Sequence, residues 1–287
     1  MSRRRKLAFA GCAAVAVIAF LCWPRVHGPI YEGRTVEEWF KSYDELKNKG
    51  GYDAVRGIPP AERQPVAQSD LMLAELAFRR MGTNAVPYLA SRITQGFDYS
   101  RMEVWRIKIR GRLPQVLKGL LPLPASKGGQ AITAANLLSD QLKPPGEMLL
   151  PLLEPALQSN VNLRVVAFVA LRGISSGHEL ARPYLERGLN DSNSLVQRCA
   201  IDVISYFGEH GNWAVSNFLE LASSPDFDTH EAAIYALKRL GTNSWPVLPR
   251  LKEMSAAERD ERRRKGIADA IRNIHTPGPG PPPMGKE

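Results

Sequence analysis

The chain is 287 residues long, 44% hydrophobic and 23% charged, which excludes a disordered polymer and leaves room for a sizeable core. Its net charge is +9, but Arg3, Arg4, Arg5, Lys6 and Arg25 supply +5 of it without a nearby acid, so residues 28–287 carry only +4. That balance argues against a broadly nucleic-acid-binding body, and three cysteines, two of them within the first 22 residues, exclude a disulfide scaffold and a Cys-rich zinc module.

Residues 1–27 read as a membrane segment. Four basic residues precede an uncharged run, Leu7 to Trp23, that is 17 residues long. This is the short limit for crossing about 30 Å of hydrocarbon at about 1.5 Å per residue. It exceeds the apolar core of a cleavable signal, and Phe20-Leu-Cys-Trp-Pro24 is too bulky for a cleavage site. An uncleaved anchor is the expectation, with a cleaved signal peptide and a lipobox at Phe9–Cys12 as alternatives. The basic flank holds the N-terminus in the cytoplasm, which places the remainder outside it.

Residues 28–68 are expected to form a short docking helix and a linker. Thr35-x-x-Glu38 is a capping box that opens a helix over about 36–47, with Trp39, Phe40, Tyr43 and Leu46 on its apolar face. Tyr31 and Trp39 read as aromatics that dock this helix rather than as a ligand-stacking pair. Gly50-Gly51, Pro59-Pro60 and Pro65 mark a loop over 48–68.

Residues 69–275 repeat. Gly82-Thr-Asn-x-x-Pro87-x-Leu89 recurs as Gly241-Thr-Asn-x-x-Pro246-x-Leu248. Read physically, a glycine at positive φ ends one helix, Asn caps the next and Pro sits in its first turn. Ala135, Ala167, Ala200 and Ala233 are spaced 32, 33 and 33 residues apart, and Ala167, Ala200 and Ala233 are followed by apolar residues at i+3, i+4 and i+7. Ala74 lies 61 residues before Ala135, which leaves space for one degenerate unit over about 98–127. A period in the low thirties with two helices per unit predicts an all-α solenoid of about six helix pairs. Their second helices are expected to start near Pro87, Pro151, Pro183, Trp213 and Pro246.

Leu189-x-Asp191-x-x-x-x-Val196-x-Arg198-x-Ala200, continuing to Phe207-Gly208, resembles the short bacterial HEAT repeat, an armadillo-like helical unit. The chain departs from that pattern at Gln197, where the family has Arg. The Tyr31–Trp39 segment is similar to the entry segment of bacterial membrane-anchored HEAT-repeat proteins. The resemblance implies a polar ladder between units, with Asp191 and Arg164 at the matching positions. It also implies a protein-binding scaffold rather than a chemistry.

The residues themselves offer no catalytic constellation, cofactor motif or metal set: HExxH, a Walker loop, Gly-x-Ser-x-Gly and a dinucleotide fingerprint are all missing. His178 and His210 fall on consecutive turns, expected about 10 Å apart and exposed if units stack like packed helices. Cys199 reads as a small hydrophobe. Arg101, Arg106, Lys108, Arg110, Arg112 and Lys118, with Glu103, carry +5 in one stretch. They read as a solvated helix or, in the alternative, as an anion-binding patch. Glu258 to Lys265 mixes signs as an exposed terminal helix does, and residues 276–287 form a Pro/Gly-rich tail expected to lack structure.

The leading expectation is a single-pass protein of the bacterial inner membrane, facing the periplasm, that binds an unidentified protein on the face of its second helices. The alternative is a binder of anionic ligands or nucleic acid, of the HEAT-like DNA glycosylase class, working through residues 101–118. Alkaline phosphatase fused after Glu287 is expected to be active in a bacterial host; activity only from a cytoplasmic reporter at that position would invert the orientation.

Overall fold

The computed structural model describes residues 28–55, 68–96, 108–109 and 127–274. The apolar run 7–23, residues 56–67, the C-terminal tail, and Arg101, Arg106, Arg110, Arg112 and Lys118 lie outside them; Lys108 is described and exposed. Among the described residues no helix is long and apolar enough to cross a membrane. The architecture is all-α apart from one small ribbon.

The ribbon pairs β1 (Ile30–Tyr31) with β2 (Arg34–Thr35), antiparallel. Its turn residues Glu32 and Gly33 have φ of +49° and +74°, the two positive values that a tight hairpin demands. Helix α1 (Val36–Val55) follows at once. Its capping box is closed: the Thr35 amide donates to Glu38 Oε2 at 2.7 Å, and the Glu38 amide to Thr35 Oγ1 at 3.3 Å. The helix runs on through Gly50 and Gly51, where a loop was expected. Trp39, Phe40 and Tyr43 are buried. Trp39 Nε1 donates to the Tyr31 carbonyl at 3.0 Å, so the ribbon and the helix brace each other. Tyr43 meets Phe78 edge-on, and Phe40 meets Tyr88 in the same way. The entry element therefore belongs to the same core as everything after it.

Five helix pairs follow among the described residues. They are α2 (Gln68–Met81) with α3 (Val86–Thr94), and α4 (Lys127–Asn136, prolonged by a π turn Leu137–Leu142) with α5 (Gly146–Leu157). Next come α6 (Val161–Leu171) with α7 (His178–Leu189), α8 (Ser194–Tyr206) with α9 (Val215–Leu221), and α10 (Phe227–Leu240) with α11 (Leu248–Ala257). Helix α12 (Glu261–Ile274) ends the series. From α4 to α12 each first helix packs on the next first helix, and each second helix packs on the first helix that follows it. Ala74, Ala135, Ala167, Ala200 and Ala233 are all buried, where small side chains let neighbouring helices approach. First helices are capped in register as well. Asn160, Asn193, Asp226 and Asp260 accept amides of α6, α8, α10 and α12 at 2.9–3.1 Å.

The degenerate unit expected across 98–127 lies outside the described residues, apart from residues 108–109 and 127. Helix α3 lies directly against both α4 and α5. A Cβ on Gly96 would fall 2.4 Å from that of Ala131, and Gln95 and Gly96 line one hollow with Lys127 and Gln130. The chain thus leaves at 96 and returns at 127 to nearly the same place.

Three turns share one device. Gly82, Gly208 and Gly241 have φ of +55°, +57° and +57°, and each opens a 3-10 turn. Gly241 has ψ of −126°, so it lies outside the left-handed helical basin, in a region essentially reserved for glycine. The Asn residues of the motif do not cap: Asn84 and Asn243 are exposed, and α3 and α11 have no side-chain cap. Buried Ser244 works instead, donating to the Leu237 carbonyl at 2.8 Å. Pro151 and Pro183 do not open their helices; α5 and α7 start five residues earlier, at Gly146 and His178. Both prolines sit on exposed faces, where water can take the carbonyl they leave unpaired. No atom lies within 4 Å of a Cβ built on Gly208, so replacing it tests backbone conformation alone. Gly208→Ala and Gly241→Val are each expected to cost about 1–3 kcal/mol in denaturant unfolding, with Glu253→Ala near zero.

Candidate interaction surface

The stacking brings equivalent positions of the second helices onto one face. On α5, Glu147, Met148, Pro151 and Glu154 are exposed at helical spacing. On α7 the matching residues, each 32 positions later, are Glu179, Leu180, Pro183 and Glu186. Trp213, 33 after Leu180, continues the apolar line in the turn before α9. Met148 is 40% exposed and Leu180 53%. Such side chains are ordinary one at a time; here they line up because α5 packs beside α7 and Arg182 reaches from α7 to within 4.9 Å of the Trp213 ring.

The carboxylates are held by neutral groups or shared. Glu147 accepts Ser176 Oγ at 2.9 Å, and Glu154 accepts the Tyr184 hydroxyl at 3.1 Å. Arg182 Nε donates to Glu186 at 2.8 Å, and its guanidinium lies 3.9 Å from Glu179. The guanidinium over Trp213 is therefore also the one that spans the two acids.

His178 and His210 join this face at the turns. Their rings stack at 4.5 Å between centroids, only 6° from parallel, and Phe207 meets His178 edge-on at 4.5 Å. The separation of about 10 Å expected from helix packing is wrong, because the 3-10 turn Gly208–Ala214 carries His210 back over the start of α7. Parallel rings do not point their nitrogens at a common metal. Among the described residues no three of His, Cys, Asp and Glu converge as a metal site. Burial, and then the neighbouring His210, hold the His178 imidazole below its usual pKa, against the opposing effects of a hydrogen bond with the Ile174 backbone, Glu147 and Glu179.

The first helices carry a different pattern. Arg164 pairs with Asp191 at 3.1 Å and donates to the Ser159 carbonyl at 2.9 Å, linking α6 to the turn before α8. Arg198, one place late against the family pattern, pairs with Asp228 at the start of α10. The ladder therefore continues, displaced by a residue. Tyr206 lies between two guanidiniums, Arg172 at 5.2 Å and Arg239 at 3.7 Å from its ring centre. Arg172 also pairs with Asp140 at 2.9 Å. His230 is buried with Nδ1 on the Ala222 carbonyl, a satisfied core histidine. Cys199 is half-buried, and burial, with Asp202 adding, pushes its thiol up to about 11, so it is a poor nucleophile at neutral pH.

Among the residues singled out in the sequence, Ala167, Ala200 and Ala233 lie in the core, Asp191 in the ladder, and Gly82, Gly208 and Gly241 in turns. Lys108 is the one described member of the basic stretch. The Met148–Leu180–Trp213 line went unread, although its 32- and 33-residue spacing is that of the alanine series. Comparison with protein-family models, curated proteins and solved structures gives no match. The HEAT resemblance therefore rests on the repeat strings alone.

Because His178 titrates below its unfolded value of about 6.5, the unfolded chain binds protons first as the pH falls. The stabilising contribution is complete above that value and is lost through the acid side of it. The thermal midpoint is expected to fall between pH 7 and pH 5, and less steeply in His178→Asn; identical slopes would remove His178 as the cause.

Proposed function

We propose that this chain is a HEAT-like α-solenoid, tethered to a membrane by residues 7–23 and projecting away from the cytoplasm, that binds a partner protein along its second helices. One observation carries the reading: unit stacking sets exposed Met148 and Leu180 at matching positions of adjacent helices, with half-buried Trp213 at the corresponding place of the next unit. Methionine and aromatic side chains are enriched where proteins meet, and an aligned apolar line gives a partner a contiguous surface rather than scattered contacts. The repeat strings support the same reading, since their consensus positions are packing positions and leave the outer faces free to differ. No catalytic step is assigned.

A photocrosslinking phenylalanine analogue at Leu180, in the full chain in native membranes, tests it. A discrete adduct is expected that is weakened by Trp213→Ala and not formed from the same probe at exposed Lys252. A pattern at Leu180 no different from that at Lys252 would overturn the scaffold reading.

A further inference from the structure

The part of the second-helix face formed by α5, α7 and residues 208–221 is acidic in a basic protein. The chain carries +9, yet α5, α7 and residues 208–221 together hold Glu147, Glu154, Glu179, Glu186, Glu209 and Glu220 against only Arg182 and Arg187. Arg182 is already engaged by Glu179 and Glu186. Among the described residues no Lys, Arg or His nitrogen lies within 4.0 Å of Glu147, Glu154, Glu209 or Glu220. The acids are also ordered about the apolar line. Glu147 and Glu179 border Met148 and Leu180 on one side, and Glu154 and Glu186 lie two helical turns further on, with Pro151 and Pro183 between.

Resting on the scaffold reading above, we infer that this face receives an amphipathic, basic segment of a partner protein: an apolar stripe seated on Met148, Leu180 and Trp213, with Lys or Arg on both flanks facing the two acidic rows. Exposed Met148 and Leu180, with half-buried Trp213 beyond them, call for an apolar stripe, and Glu147 and Glu154, which no cation engages among the described residues, select positive flanks and repel negative ones. A second copy of the chain fits poorly. Two copies meeting through the same patch about a twofold axis would set acidic row against acidic row. Anionic lipid and nucleic acid are disfavoured by the same charge.

The test uses the full chain and two synthetic helical peptides with the same leucine stripe, one flanked by lysines and one by glutamates, followed by fluorescence anisotropy. The lysine peptide is expected to bind about tenfold tighter or better, and to lose most of that advantage between about 0.05 and 0.3 M salt. The double variant Glu154→Lys, Glu186→Lys, checked for retained helicity and melting, is expected to invert the preference. Equal binding of the two peptides, or a preference that survives the charge reversal, would overturn the inference. If neither peptide binds while the Leu180 adduct still forms, the charge inference fails and the scaffold reading stands; if both are lost, both fail. An adduct that maps to residues 101–118 of the same chain would overturn it in favour of a face covered by the protein's own basic stretch.

Discussion

The distance at which neighbouring first helices pack is the constraint on which the rest of this structure depends. A helix pair has two apolar faces and can cover only one by itself, so each pair must be finished by its neighbours. Buried alanine at 135, 167, 200 and 233 keeps those neighbours close. Larger side chains such as Leu171, Ile204 and Leu237 then fill the space beside the contact. Because the separation repeats, so do the features that depend on it: side-chain caps at 160, 193, 226 and 260, and the ion pairs Arg164–Asp191 and Arg198–Asp228 between units. The same constancy turns isolated exposed residues on the second helices into lines.

Much of this was legible in the chain itself. The alanine period, the Thr35–Glu38 box and the glycine-opened turns are local signals, and local geometry decides them. What escaped has a common physical character: it depends on where one segment returns relative to another. Asn243 occupies a plausible capping place in the sequence, but the 3-10 turn after Gly241 delays the helix to Leu248, and Asn243 is left in solvent. Pro151 and Pro183 look like helix openers, yet the preceding turns had already begun their helices. The spacing from Ala74 to Ala135 is close to two periods, and nothing in it announces that α3 packs directly on α4 and α5. Ring stacking of His178 on His210 is another such case, since two turns 32 residues apart had to fold over each other.

The candidate surface was less legible than the fold for a related reason. The repeat consensus records positions whose chemistry is dictated by packing, so a search along it finds alanines, glycines and capping residues. Outward-facing residues lie between those positions and vary from unit to unit, as Met148, Leu180 and Trp213 do. They share only a register. Reading the period for exposed positions as well as buried ones would have found them, along with the glutamates that border them. The first helices use the register differently. Their exposed sides spend charge and aromatic surface on each other, as in the Arg172–Tyr206–Arg239 sandwich, and so hold the units together.

The return of the chain at Lys127 to the place it left at Gly96 has a thermodynamic meaning. When two anchor points are already adjacent in the folded body, the span joining them costs only its closure entropy, which grows with the logarithm of length, about 0.6 kcal/mol per doubling. The stack is therefore nearly indifferent to what is threaded between α3 and α4. Residues 97–126 join two helices whose facing ends already meet, so the place of every later pair is set by the packing of α3 on α4 rather than by the length of that span.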